Sequence, residues 1–143
     1  MKQFDKDDSF ADNILHLKID FASGRFGQLM QQRLLVFTPS ITIPSIPHFP
    51  ADSERHAPVL LHASSRRKHI RIKLPPGFSV DEVPEAAKLD SEFAHFSLKY
   101  SKRPGELDMD EELKTEGMII APSDYAEVKS FFDRCNGADH PAA

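Results

Sequence analysis

The sequence predicts a mainly β protein: an antiparallel β-sandwich with one short C-terminal α-helix. Three observations support this fold class. Apolar and polar residues alternate with a period of two along much of the chain, which is typical of strands that bury one face. Eleven prolines in 143 residues disfavour long helices and favour short strands joined by fixed turns. One stretch near the C-terminus has apolar residues at helical spacing.

The first strand is predicted at residues 14–21, where apolar residues occupy every second position. A second strand is predicted at about residues 28–38. The intervening residues 22–27 contain two glycines and a serine, which are typical of turns. We therefore expect the two strands to pair as a hairpin.

Five prolines lie between residues 39 and 58. Because proline lacks the N–H that a sheet ladder needs, this segment is predicted to be an extended connection. A disordered linker would be poorer in large apolar residues. We expect the interspersed apolar side chains to attach the connection to the surface of the fold. They are Ile41, Ile43, Ile46 and Phe49.

Period-two alternation is clearest at residues 69–74, with Ile70, Ile72 and Leu74 facing inward and a tight turn at residues 75–77. Further strands are expected at residues 59–61, 78–83 and 87–89, then around residues 94–100 and 107–113, the last two separated by a turn at residues 103–105. Several short strands with Pro/Gly turns are typical of a sandwich.

The helix is predicted at about residues 122–135. Pro122 suits the first helical turn, and Asp124 lies near the positive end of the helix dipole. Asn136 and Gly137 are expected to end the helix. Its apolar stripe comprises Tyr125, Val128, Phe131, Phe132 and Cys135. We expect the aromatic members to pack on an open edge or end of the sandwich.

The length fits one domain, predicted at residues 13–137, with flexible segments at 1–12 and 138–143. The chain contains no run of eighteen apolar residues, so no membrane span is predicted. Charge is distributed unevenly. Residues 23–77 hold eight Lys or Arg and two acidic residues, a net charge of plus six, whereas residues 78–116 hold five and eleven, a net charge of minus six. Two solvated faces that attract one another are the favoured interpretation; steering of a partner is the alternative.

No catalytic, cofactor-binding or metal-binding residues are predicted. Cys135 lies on the apolar stripe at the C-terminal end of the helix, where the dipole disfavours a thiolate, so it is interpreted as a core residue. The seven histidines lack metal-ligand spacing. The carboxylates Asp108, Asp110 and Glu112 share one strand face and are interpreted as a solvated acidic face.

The strongest basic run contains Arg66, Arg67, Lys68 and Arg71. Nucleic-acid binding would favour interleaved aromatic residues and a basic domain, whereas this run lacks aromatic rings other than imidazole and the isoelectric point is about 5.9. The run is therefore interpreted as the outward face of a strand. A protein partner with an acidic face stays open, and nucleic acid is not an expected partner.

A series of short motifs resembles the C-terminal β-sandwich domain of bacterial transglutaminase-like proteins of the papain-like superfamily. The motifs are R-H-A-P-V-L at 55–60, I-K-L-P-P-G-F at 72–78, V-D-E-V-P at 80–84, F-S-L-K-Y at 96–100 and I-I-A-P-S-D-Y at 119–125. Ala94 departs from the glycine usual in similar sequences. No cysteine precedes the motifs, so the catalytic residues of those proteins have no counterpart here.

The resemblance implies an Ig-like sandwich that is not an enzyme. It implies an accessory or interaction domain, which packs on or presents substrate to the transglutaminase-like catalytic domain of the same parent protein. The expected interaction surface is the basic face, comprising Arg66, Arg67, Lys68 and Arg71, or the proline-rich connection with Ile43, Ile46 and Phe49. Export to the periplasm or cell envelope is implied by the resemblance alone, so the location is unknown. The alternative function is a carbohydrate or cell-surface binding sandwich.

Overall fold

The structure is a computed structural model that describes residues 3–9, 14–20, 27–31, 34–37, 46–50 and 55–139. The predicted fold class is confirmed. The chain is mainly β, with several antiparallel sheets and one short C-terminal helix, consistent with a β-sandwich. The chain divides into two compact units, Met1–Thr38 and Pro39–Ala143. This boundary falls inside the domain predicted at residues 13–137, which stays a prediction.

In the first unit, β1 (Gln3–Ser9) pairs with β2 (Ile14–Asp20), and β3 (Gln28–Met30) pairs with β4 (Leu34–Val36), both antiparallel. The predicted hairpin between residues 14–21 and 28–38 is therefore wrong. The first segment pairs with β1, whereas the second, predicted as one strand, contains both β3 and β4, which pair with each other. β1 lies in the segment that was expected to be flexible, and its charged sequence Q-F-D-K-D-D-S has no clear alternation to announce a strand.

The second unit contains a four-stranded sheet and a two-stranded one. The strands are β5 (Val59–Leu61), β6 (Ser64–Lys73), β7 (Ala87–Asp90), β8 (Ala94–Arg103), β9 (Glu106–Thr115) and β10 (Met118–Ile120). The larger sheet has the order β6-β9-β8-β7, and β5 pairs with β10. All pairs are antiparallel, so β8 and β9 form a hairpin with β6 along the other side of β9.

Both predicted Pro-Gly turns are present. Phe78 N donates to Pro75 O at 3.1 Å, and Gly77 has a φ of 88°, the left-handed conformation that a type II turn requires at its third position. Gly105, with a φ of 71°, closes the hairpin between β8 and β9. The strand predicted at residues 78–83 is wrong, since residues 78–86 are irregular up to β7. Pro84 has no N–H to donate to a ladder, which is consistent with this outcome.

The helix starts with a 3-10 turn at Pro122–Asp124 and continues as α1 (Tyr125–Asp139). It runs through Asn136 and Gly137, so the predicted end at these residues is wrong. Within this last part of α1, Asn136 Nδ2 donates to the carbonyl oxygen of Phe132, one turn earlier.

The core lies between one face of the larger sheet and the apolar stripe of α1. Phe96, Leu98 and Met109 point from the sheet into this core, and each is about 1% exposed. From the helix, Phe132 is fully buried and its ring centroid lies 5.4 Å from that of Phe131. The helical aromatics therefore belong to the main core and do not simply cap an edge.

The proline-rich connection is attached as predicted where it is described. Ile46 is only 6% exposed within the core cluster, and Phe49 packs against it with its ring 5.0 Å from Phe132. Tyr125 Oη donates to the carbonyl oxygen of Pro50 at 2.6 Å. Ile41 and Ile43 lie outside the described residues.

Candidate functional site

The outward face of the four-stranded sheet is polar along β6, β9 and β8. Side chains of alternate residues lie on this face. In β6 they are Arg67, His69, Arg71 and Lys73; in β9 they are Glu106, Asp108, Asp110, Glu112 and Lys114; and in β8 they are His95, Ser97, Lys99, Ser101 and Arg103. We call this surface the outer face. A shallow depression on it is bordered by outer-face residues of all three strands, among them Arg67, Ser97 and Asp110.

Basic residues of β6 form ion pairs with acidic residues of β9 across the ladder. Arg67 Nε donates to Glu112 Oε1 at 3.0 Å, and Arg71 Nε donates to Asp108 Oδ1 at 2.8 Å. The uneven charge of the sequence thus arises largely because the basic strand β6 and the acidic strand β9 are neighbours in the sheet. The favoured interpretation, two faces that attract one another, agrees with these contacts, although here the charges share one face of one sheet.

Asp108 is the exception to the predicted solvated acidic face, because it is only 2% exposed. Arg71 reaches it from β6 and Arg103 from β8. Arg103 Nη2 lies 3.0 Å from Asp108 Oδ2, an ion pair whose angles fall outside those of a hydrogen bond. The interpretation as solvated is therefore wrong for Asp108, since two long side chains from other strands cover it. Asp110 and Glu112 are each 42% exposed at the side chain, in agreement with the interpretation.

The same contacts shift the titration of the cluster. The hydrogen bond from Arg71 holds the pKa of Asp108 below its usual value, and the charges of Arg103 and Arg71 act in the same direction, whereas burial opposes them. The hydrogen bond to Asp108 also raises the pKa of Arg71. Asp108 is therefore a buried carboxylate that stays ionised because of its two guanidinium neighbours.

The four basic residues expected to form one surface are divided by the pleat of β6. Arg67 and Arg71 lie on the outer face. Lys68 lies on the core-facing side, where its Nζ donates to Glu111 Oε2 at 3.1 Å and both side chains are largely buried. Arg66 is exposed and shares the side of Lys68. The four side chains therefore do not form one continuous basic face.

The apolar residues of the expected interaction surface also have different positions. Ile46 is buried and Phe49 is half-buried against the core, so neither contributes a large exposed apolar area. Ile43 lies outside the described residues.

An apolar pair that the sequence reasoning missed lies on the β5–β10 ribbon. Leu60 and Ile119 are direct cross-strand partners, and they are 61% and 71% exposed. Leu61 and Ile120 beside them are buried on the opposite side of the ribbon. The sequence did contain a signal: V-L-L and M-I-I are continuous apolar runs, so in a ribbon each must place an apolar side chain on both faces.

Two histidines of the outer face are bound to carboxylates. His69 Nδ1 donates to Asp110 Oδ1 at 2.7 Å, and His95 Nδ1 donates to Asp90 Oδ1 at 2.9 Å. A catalytic triad would also need a serine hydroxyl at hydrogen-bond distance from the ring. Within the described ranges, neither imidazole has such a partner.

Cys135 is fully buried in the core, as the helical stripe predicted. Burial raises the pKa of its thiol to about 12, which opposes formation of the nucleophilic thiolate. The part of the chain that the structure describes contains no group of three or more His, Cys, Asp or Glu residues arranged to hold a metal ion. No helix among the described residues is long and apolar enough to cross a membrane.

Comparison with known proteins gives one match. A family model, described as a domain of unknown function with a solved structure (DUF3858), matches residues 32–141. No curated protein and no solved structure matches the chain. The match contains β4 to β10 and the whole of α1, and hence both the outer face and the Leu60–Ile119 pair.

Proposed function

The chain belongs to the DUF3858 family. From the resemblance of its motifs, we propose that it is a non-catalytic accessory domain of a bacterial transglutaminase-like protein. In this role it packs on a separate catalytic core of the same parent protein, or presents substrate to it. The motifs that resemble the C-terminal domain of such proteins lie at residues 55–125, inside the matched range. The family description itself assigns no function.

The exposed pair Leu60–Ile119 is the observation that supports docking most directly. Isolated apolar residues are common on protein surfaces, but these two lie directly opposite each other and form one contiguous patch. The patch is held by backbone pairing and by the buried neighbours Leu61 and Ile120. A rigid apolar patch of this kind suits the centre of a protein interface.

The outer face is a poorer docking surface than the sequence suggested. Arg67 is paired one-to-one with Glu112 of the same sheet, and Lys68 faces the core, where it binds Glu111. A partner that used the basic run as a whole would have to compete with these internal carboxylates. We therefore propose that the separate catalytic core docks on the ribbon formed by β5 and β10.

Binding in trans tests the proposal. The full 143-residue chain would be titrated with the separately expressed transglutaminase-like core of its parent protein, by calorimetry. We expect saturable binding, which the double change Leu60→Ser, Ile119→Ser weakens about tenfold or more, because truncation at the centre of an interface typically costs at least 1–2 kcal/mol.

The double change Met30→Ser, Leu34→Ser is the matched control. Met30 and Leu34 are also direct cross-strand partners, in β3 and β4, and they are 52% and 50% exposed. Circular dichroism would show that each variant folds. Absence of binding by the unaltered chain, or equal weakening by the control pair, would contradict the docking site.

The alternative, a carbohydrate or cell-surface binding sandwich, has no specific observation in its favour. Sugar-binding platforms commonly use exposed aromatic rings. Among the described residues from 27 onward, every Phe and Tyr is buried or half-buried, including Tyr125 at 4% exposure. A glycan array with the full chain would test this alternative.

A further inference from the structure

One carboxylate on the outer face is shared by two guanidinium groups. Arg71 Nε lies 2.8 Å from Asp108 Oδ1, and Arg103 Nη2 lies 3.0 Å from Asp108 Oδ2. Asp108 is 2% exposed, while the side chains of Arg71 and Arg103 are 47% and 54% exposed. The acid is thus enclosed and the two bases are half in solvent.

The stoichiometry leaves positive charge at the surface. Two arginines face one aspartate, a net charge of plus one. Glu106 lies in register with Lys73 on one side and with Arg103 on the other, and its charge also acts on Arg71; Lys73 and Glu106 cancel in the count of charges. His69 Nε2 lies 4.0 Å from Asp108 Oδ1, but its other nitrogen binds Asp110. The surroundings therefore leave the single excess charge in place.

The arrangement is also preorganised. A guanidinium has five N–H donors in a planar fork, so one contact with Asp108 leaves several donors on each arginine. The buried carboxylate holds the Arg71 fork by a hydrogen bond and the Arg103 guanidinium by an ion pair, on strands that flank β9 on either side. A ligand would therefore bear less of the entropy cost of ordering these two long side chains.

We propose that Arg71 and Arg103 form a binding site for a carboxylate group, such as the side chain of an acidic peptide segment. A carboxylate matches the planar forks, and its single negative charge matches the single excess positive charge. A phosphate dianion would exceed that charge, and Asp108 and Glu106 would repel it more strongly than they repel a carboxylate with one charge. The proposal is independent of the accessory role and of the Leu60–Ile119 patch.

Arginine Nε–H resonances in a ¹H–¹⁵N spectrum of the full chain give a direct test. The glutamate peptide used as the probe is blocked Ac-Gln-Glu-Gln-NH₂, which carries one carboxylate, at constant ionic strength; the glutamine peptide Ac-Gln-Gln-Gln-NH₂ and inorganic phosphate are parallel titrations. We expect the Arg71 and Arg103 signals to shift and saturate with the glutamate peptide. The affinities for the glutamine peptide and for phosphate should be at least tenfold weaker.

Two variants separate the site from general surface charge. Arg103→Gln should abolish saturation by the glutamate peptide, whereas Arg67→Gln should preserve it. Arg67 is the matched control because it lies on the same face but is balanced one-to-one by Glu112. The spectrum of each variant would report that the fold is retained. Failure of the glutamate peptide to saturate the Arg71 and Arg103 signals, tighter binding of phosphate, or equal loss with Arg67→Gln would overturn the proposal.

Discussion

The change Phe132→Ala tests whether the C-terminal helix is part of the core. Phe132 is fully buried, and its ring lies 5.0 Å from Phe49 and 5.4 Å from Phe131. The sequence predicted that the helical aromatics cover an open edge of the sandwich, where truncation would be cheap. The structure instead makes this side chain a link between the helix, the proline-rich connection and the sheet.

The expected cost follows from this environment. Burying a phenylalanine contributes roughly 1.5–3 kcal/mol, and the cavity left by truncation adds to the loss. Phe→Ala changes in cores cost about 3–5 kcal/mol in total, and with aromatic neighbours on two sides we expect about 4 kcal/mol. For a chain of this length, that lowers Tm by about 8–16 °C.

Urea denaturation followed by circular dichroism measures this cost as a fall in the midpoint at unchanged slope. Phe132→Leu, which conserves most of the volume, should cost less than about 1.5 kcal/mol. Ile119→Ala, at an exposed position, should change the free energy of unfolding by less than about 0.5 kcal/mol. A loss below about 1 kcal/mol for Phe132→Ala would refute the placement of the helix in the core.

Three further predictions follow from the described residues. The pKa of Asp108 is lowered on folding, so its stabilising contribution is present above its unfolded pKa and is lost as the pH falls through the folded pKa. A series of melts below about pH 4 should therefore show a weaker acid-induced fall in Tm for Asp108→Asn than for the unaltered chain. The Cys135 thiol, with its pKa raised to about 12, should react with a disulfide reagent at pH 8 only when urea unfolds the chain; fast labelling of the folded protein would contradict its burial. Gly137→Ala, in α1 with open space around the added methyl, should stabilise the fold by about 0.5–1 kcal/mol. Gly105→Ala should destabilise the fold by about 1 kcal/mol or more, because the φ of Gly105 is 71°. Thermal unfolding that shows the same sign for both changes would contradict this difference in backbone conformation.

Regular alternation carried most of the fold prediction. The inward set Phe96, Leu98 and Tyr100, and the turn at Gly105, followed from side-chain period and from the conformational freedom of glycine. Which strands pair with one another was harder to predict from the sequence. Four of the seven residues of β1 are charged, so hydrophobic pattern gave no sign of the strand that pairs with β2. Without that strand, the next segment in sequence was the natural but wrong partner.

Alternation also placed side chains on a face without revealing how exposed they are. Asp108, Asp110 and Glu112 share a face by period alone, yet only Asp108 is buried. Its burial depends on Arg71 and Arg103, which come from strands on opposite sides of β9. Which side chains cover Asp108 depends on the order of the strands in the sheet. The sequence of one strand alone does not give that order.

The basic run of β6 shows why a local charge count is a weak guide to partners. Six positive charges in excess at residues 23–77 left open a surface that attracts acidic partners, but the ladder places Arg67 and Arg71 beside acids of β9 and turns Lys68 toward Glu111 on the core side. These three basic residues are thus paired within the sheet. A local imbalance remains at Arg71 and Arg103, where two bases share one acid. An anionic partner should therefore respond to Arg103→Gln far more than to Arg67→Gln, although each change removes the same charge from the same face.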